Sequence, residues 1–343
     1  MSGQFRDVRE VRLARIPDGG TVRAEDFAVV DVTSPPTVGS GNVLIGLRRL
    51  GLNAGLATRL GGPGSAYGPG IAIGDVPASD AVVEVLDGGN SSWRAGELAL
   101  CQRAPWRTVS AVESTTLQRL PADRGDLVLE SYLTILGHVG FTAWVGMVHV
   151  GQVRPTDIVY VSGAAGGVGS CAVQFAKACG AKVVGSAGSA DKVRMLTEEL
   201  GADAAFNHRD GPVLDSLTAV APQGIDLFYD NIGGAELVAA LERLRFQGRV
   251  VICGAASRYG KPPDHPGPAN YTRLISQELT MQGFTVTAHE DLRPTFEAAV
   301  GALLRDGTVR PFHTTMHSFE RTPEAFAALL SGANSGRMIV AID

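Results

Sequence analysis

The apolar residues change period part-way along the chain. Up to about residue 130 they come in short runs broken by Gly and Pro, such as Val43-Leu-Ile-Gly-Leu47, Ala81-Val-Val-Glu-Val-Leu86 and Leu98-Ala-Leu-Cys101. Runs of this kind predict strands, and little helical period lies between them. This stretch therefore reads as a β-rich domain, a partly open barrel. From about 131 to 312 strands and helices alternate. Ile158 to Ser162 is apolar and β-branched, the pattern of a parallel strand buried on both faces. Val168, Ala172, Phe175, Ala176 and Cys179 follow at helical spacing, with Gly180 as the stop. Lys182 to Gly185 predicts the next strand. Ser189 then caps a helix striped by Val193, Leu196 and Leu200 and closed by Gly201. Further strands are expected at Ala204–Asn207, Ile225–Tyr229 and Arg249–Cys253, with a helix around Leu237, Leu241 and Leu244. Strands alternating with helices of this length form a doubly wound parallel sheet. Residues 258–268 are too proline-rich for an element and predict a loop at the carboxyl end of a strand, where open α/β sheets bind ligands. From 313 onward the chain, with strand-like Met338-Ile-Val-Ala-Ile342, is expected to return to the first domain. The expected division is thus 1–130, 131–312 and 313–343.

Composition narrows this picture without changing it. A chain of 343 residues suits two domains, and its 45% hydrophobic and 19% charged content is that of a globular protein. A net charge of −5 argues against nucleic acid or an anionic membrane as partner. No apolar run reaches the length of a membrane span (about 20 residues), and the N-terminus lacks an apolar leader. A cytoplasmic protein is expected. Cys101, Cys171, Cys179 and Cys253 show no paired spacing and no Cys/His cluster, so neither a disulfide framework nor a zinc site is implied. They read as small buried hydrophobes.

The candidate chemistry starts at Val159-Tyr-Val-Ser-Gly-Ala-Ala-Gly-Gly-Val-Gly169. Gly163, Gly166 and Gly169 stand three apart between a strand and a helix, in the context that turns a glycine pattern into a dinucleotide-binding turn. Gly163, Ala164, Gly166, Gly167, Val168 and Gly169 would lie against the pyrophosphate, whose charge is met by backbone N–H groups at a helix N-terminus. An NAD-binding protein would end its second strand in Asp or Glu. Here Gly188-Ser-Ala-Asp-Lys192 follows instead. Ser189 and Lys192, with Arg194 as a second cation, fit a 2′-phosphate, so NADPH is the expected cofactor.

These blocks, with Leu136-Gly-His-Val-Gly-Phe-Thr-Ala-Trp144, Asp230-Asn-Ile-Gly-Gly234, Gly248 to Tyr259 and Asn334 to Val340, resemble the zinc-independent medium-chain dehydrogenase/reductases. The likeness is to the branch of prostaglandin reductases, leukotriene B4 12-hydroxydehydrogenases and NADPH-dependent 2-alkenal reductases, over almost the whole chain. The resemblance implies a GroES-like β-barrel domain interrupted by a Rossmann domain, and a homodimer. It places Lys192 on the 2′-phosphate, with Asn231 and Asn334 along the cofactor. Cys253 and Gly254 join the cofactor site, and Tyr259 sits over cofactor and substrate. The zinc-dependent branch carries a Gly-His-Glu signature where this chain has Val76-Pro-Ala-Ser-Asp80, so no metal is implied. The chain departs from its branch where Leu52-Asn-Ala-Gly-Leu56 lacks the pocket tyrosine of a Leu-Asp-Pro-Tyr-Met segment. Asn207-His-Arg209 replaces Asn-Tyr-Lys, leaving His208 as a candidate at the adenosine end. His138, in place of an apolar residue, reads as an ordinary loop residue.

The implied reaction is NADPH-dependent reduction of a C=C bond conjugated to a carbonyl. Hydride goes to the β-carbon of a small α,β-unsaturated substrate, with Tyr259 as the candidate to support the oxyanion. Quinone reduction, and a non-catalytic NADPH-binding protein of the same superfamily, stay open as alternatives.

Overall fold

The computed structural model describes residues 8–33, 36–65, 68–259 and 267–342. The chain divides into two compact units, one holding the described residues up to Leu133 together with those from His313, the other Thr134–Phe312.

The first unit is built from strands. β1 (Arg9–Leu13) and β2 (Phe27–Asp31) form an antiparallel pair. β3 (Asn42–Gly51) is followed by the short hairpin of β4 (Gly64–Ser65) and β5 (Gly68–Pro69). β6 (Ala78–Asp87), β7 (Leu98–Pro105), β8 (Val109–Glu113) and β9 (Leu117–Arg119) complete the set before residue 134. The three sequence runs named above lie in β3, β6 and β7. Each strand extends past its run because the flanking residues still pair, as in Ala78 with Pro105. The core joins Val43, Ile45, Val83, Val85, Trp106 and Phe326.

In the second unit, α1 (His138–Trp144) continues as a π-helical turn over Val145–Val150. Then come β10 (Ile158–Val161), α2 (Gly167–Ala178), β11 (Lys182–Ala187), α3 (Ala190–Glu198) and β12 (Ala204–Asn207). α4 (Val213–Val220), β13 (Ile225–Asp230), α5 (Ala235–Arg243), β14 (Leu244–Ile252), α6 (Arg273–Ser276), β15 (Thr280–Gly283) and α7 (Arg293–Arg305) follow. The sheet runs β12-β11-β10-β13-β14-β15 and every pairing is parallel. Its order reverses at β10, which makes the carboxyl ends of β10 and β13 the switch point. Val159, Val161, Phe175, Val183 and Leu227 pack one face, while Tyr160, Phe206, Phe228 and Leu241 pack the other. Buried side chains on both faces explain why these strands read as continuous apolar runs.

Back in the first unit, β16 (His313–His317), α8 (Thr322–Ser331) and β17 (Arg337–Ala341) add to its sheet, in the order β16-β17-β3-β6-β7-β9 with β8 on β3. The fold is a Rossmann-type parallel-sheet domain with an antiparallel GroES-like one.

Two sequence expectations need correcting. Leu244 does not extend the helix stripe of Leu237 and Leu241: α5 ends at Arg243 and Leu244 opens β14. Leu244 is 2% exposed, so it is as buried in the strand as the helical spacing requires. Periodicity alone therefore does not separate the two states. β14 also starts five residues before Arg249, because a bulge opposite Ile225–Leu227 carries Gln247 at φ 59°. The sequence reading further leaves out α4, whose single fully buried side chain, Leu217, gives little stripe to see. Of the proline-rich loop, residues 260–266 lie outside the described residues.

Candidate cofactor site

The carboxyl ends of β10, β11, β12, β13 and β14 bring most of the candidate residues to one side of the parallel sheet. The glycine turn comes first. Gly163 takes φ 58°, and Gly166 N–H donates to Gly163 O at 3.0 Å. A Cβ on Gly169 would stand 2.3 Å from Gly163 O, so only glycine lets α2 start this close to the turn. Gly166 is the N-cap and no side chain caps it. The first-turn N–H groups of Gly167, Val168 and Gly169 are left for an anion. Ala164 N–H donates to Ser186 O at 2.9 Å, which ties the turn to the end of β11.

Ser189 caps α3, its Oγ accepting from Lys192 N–H. Burial, reinforced by Arg209, pulls the Lys192 ammonium below the usual lysine value. His208 is lowered by burial and by the two cations Arg209 and Lys192. A Cβ on Gly188 would meet Arg209 Nε and His208 Cε1 at 3.3 Å each. His208 and Arg209 thus meet at Gly188, within electrostatic reach of Lys192, and repulsion among cations there is relieved by an anion. Arg194 does not join them: it is exposed and pairs with Asp191 at 2.7 Å. Arg209 is the residue the sequence reading passes over. Its signal was a cation two positions past a strand end, in the same tripeptide as His208.

On the other side of the turn, Asn231 Nδ2 donates to Ser162 O at 2.8 Å. Ser162 Oγ donates to Asp230 Oδ1, which also accepts from Ile232 and Gly233 N–H. Burial raises the Asp230 carboxyl above its usual value. Cys253 and Gly254 N–H both donate to Asp230 O, so the end of β14 is sewn to the end of β13. Burial pushes the Cys253 thiol, beside the Tyr229 hydroxyl, up to about 12; it is a space-filler, not a nucleophile. Tyr259 Oη comes within 3.4 Å of the position a Gly254 Cβ would take, which puts the phenol over the strand ends.

Asn334 belongs to the other unit, where it is 5% exposed, its Nδ2 donating to Gly336 O at 2.6 Å. Asn53, where the branch has Asp, serves the local turn by accepting from Gly55 N–H at 2.8 Å. His138 opens α1, its carbonyl accepting from Thr142 Oγ1. All four cysteines are unbridged. Among the described residues no three His, Cys, Asp or Glu side chains stand close enough to hold a metal ion.

A two-domain dinucleotide-binding fold of this kind has known counterparts. The family model described as zinc-binding dehydrogenase matches residues 167–303. The chain belongs to the medium-chain dehydrogenase/reductase family, in the branch of the prostaglandin reductases and 2-alkenal reductases. It is 33% identical to (+)-pulegone reductase of Mentha piperita, over 94% of this chain and 95% of that one. It is 31% identical to the NADP(+)-dependent 2-alkenal reductase of Nicotiana tabacum, over 94% of each. Among solved structures it is similar to CurA of Vibrio vulnificus in complex with NADPH, with a TM-score of 0.89 and 27% identity, covering 98% and 99% of the two chains.

Proposed function

We propose that this protein is an NADPH-dependent oxidoreductase that reduces the C=C bond of α,β-unsaturated carbonyl compounds without zinc. The observation that carries the reading is the meeting of His208 and Arg209 at Gly188, within electrostatic reach of Lys192 and beside an uncapped helix N-terminus. The first group suits a 2′-phosphate and the second a pyrophosphate. The NADP dependence in the tobacco relative's name and the NADPH in the CurA complex support the same cofactor.

When bound, NADPH supplies hydride to the β-carbon of the substrate. The residues assigned to hold it are Gly163, Ala164, Gly166, Gly167, Val168 and Gly169 at the pyrophosphate, and Ser189, Lys192 and His208 at the phosphorylated ribose. Asn231, Cys253, Gly254, Tyr259 and Asn334 are assigned towards the nicotinamide. Tyr259 is the group we assign to the carbonyl oxygen, where a phenol donor would steady developing negative charge. Replacing it by Phe is expected to lower turnover at saturating NADPH; an unchanged rate removes it from the chemistry.

We also read the protein as a cytoplasmic homodimer. Unbridged cysteines suit a reducing compartment, and no helix among the described residues is long and apolar enough to cross a membrane. Phe246, Tyr271 and Ile275 are 59%, 60% and 78% exposed, around the start of β14 and the segment leading to edge strand β15, which suits a second copy.

The test is to mix the protein with NADPH or NADH and a panel of enals, enones and quinones, and to follow loss of reduced-nicotinamide absorbance. Oxidation of NADPH by enals or enones is expected, with NADH a poor donor. Turnover confined to quinones would move the protein to quinone reduction, and tight NADPH binding without turnover would make it a binding protein.

A further inference from the structure

Beside the proposed cofactor site lies a buried carboxyl that the cofactor reading does not use. Glu236 lies in the first turn of α5, two residues after Gly234, which with Gly233 turns the chain sharply at the strand end at φ values of 57° and 73°. It is 4% exposed. Three elements face it. Tyr160 Oη of β10 donates to Oε2, and Ser186 Oγ of β11 lies 3.0 and 3.1 Å from the two oxygens. His208 Nδ1, just past β12, stands 3.7 Å from Oε1. That Nδ1 is buried and makes no hydrogen bond. The other charged groups acting on the imidazole are Lys192 of α3 and Arg209. Burial pushes the Glu236 carboxyl up to about 8, while burial and the two cations hold His208 below its ordinary value. At neutral pH the acid therefore carries the proton and the imidazole is neutral.

We propose that Glu236 is a positioning residue for the phosphorylated end of the dinucleotide, handing its proton to His208 when a 2′-phosphate arrives beside Lys192 and Arg209. The inference rests on the NADPH reading. A dianion at this point favours a third cation. The O–H bond of the Glu236 carboxyl breaks, an N–H bond forms at His208 Nδ1, and no proton is exchanged with solvent. The new carboxylate then faces three donors, Tyr160 Oη, Ser186 Oγ and His208 Nδ1–H, so its buried charge is matched. Above pH about 8 the acid is already ionised. The imidazole proton must then come from solvent, and affinity for the phosphate falls by up to about tenfold per pH unit. A dinucleotide without the 2′-phosphate does not trigger the transfer, so the pair discriminates between the two cofactors.

The experiment is calorimetric titration of the full chain and of E236Q with adenosine 2′,5′-bisphosphate and with adenosine 5′-monophosphate, below and above pH about 8. The unaltered chain is expected to prefer the bisphosphate and to lose that preference as pH rises through this value. E236Q is expected to bind the bisphosphate about tenfold more weakly at neutral pH, with no break in the profile, and to bind the monophosphate as before. Nitrogen-15 NMR of the unaltered chain, with the His208 signals assigned through H208N, is expected to show a doubly protonated ring only when the bisphosphate is bound. This second measurement decides the matter alone if E236Q does not fold. An E236Q profile matching the unaltered chain, or a bound-state imidazole that stays neutral, overturns the role of Glu236 and leaves the NADPH reading standing. A chain that does not tell the bisphosphate from the monophosphate overturns both.

Discussion

Lys192 and Glu236 are the two side chains whose surroundings bear most on the cofactor end of the molecule, and each gives a prediction of its own. Lys192 is half-buried and lowered by burial and Arg209, so an anion beside it restores what desolvation takes away. Lys192→Gln is expected to weaken NADPH binding about 10- to 100-fold, the worth of one charge-assisted contact. NADH binding should change little, and fluorescence titration with both cofactors checks the difference. Glu236 predicts a stability effect. Its folded value lies near 8 against an ordinary 4.5, so between those limits the folded chain holds a proton that the unfolded chain releases. Stability from this group is therefore full at low pH and is lost as pH rises through the window, at roughly 1.4 kcal/mol per unit. Glu236→Gln keeps His208 and removes only this term. Its stability relative to the unaltered chain should rise by a few kcal/mol from the bottom of the window to the top, as urea midpoints across the window would read. The sequence singles out Lys192 for its proposed role because helix caps and strand ends are local. Glu236 was not legible, because its partners at 160, 186 and 208 reach it only through the order of the strands.

At the scale of elements, the strand–turn–helix of β10 and α2 carries the site. Its geometry depends on carbonyl and helix backbone lying closer than any side chain allows. Gly169→Ala would set a methyl 2.3 Å from Gly163 O, and backbone on both sides has nowhere to go. We expect a loss of about 1–3 kcal/mol in stability from the overpacking, together with loss of NADPH binding, seen by thermal unfolding and calorimetry on one sample. This element was readable in the sequence from its strand through the glycine turn to its stop at Gly180, because β-branched runs, glycine spacing and helical stripes are all short-range signals. The end of α5 was not. Leu244 satisfies the helix stripe and the strand equally well, and the pairing of Ile225 with Leu244 decides for the strand.

For the whole molecule, the apolar residues left outside the core bear on assembly. Ile275 is 78% exposed and Tyr271 60%, in a segment that leads to the unpaired edge of β15. The proposed homodimer predicts that Ile275→Glu, which adds charge to this patch, shifts the protein to a monomer in sedimentation velocity without lowering its melting temperature by more than a few degrees. A dimer that survives the change would move the interface elsewhere. The amino-acid order alone determined the parallel sheet, the glycine turn, the lysine proposed for the phosphate and the absence of an acid at the end of β11, since each is written in residues near one another. Only the tertiary structure decided that a carboxyl comes to that strand end after all, from α5, and that Arg209 and His208 meet at Gly188 within electrostatic reach of Lys192. The contacts of Glu236 join segments far apart in sequence, and the burial that shifts Glu236, His208 and Lys192 exists only once the sheet is assembled.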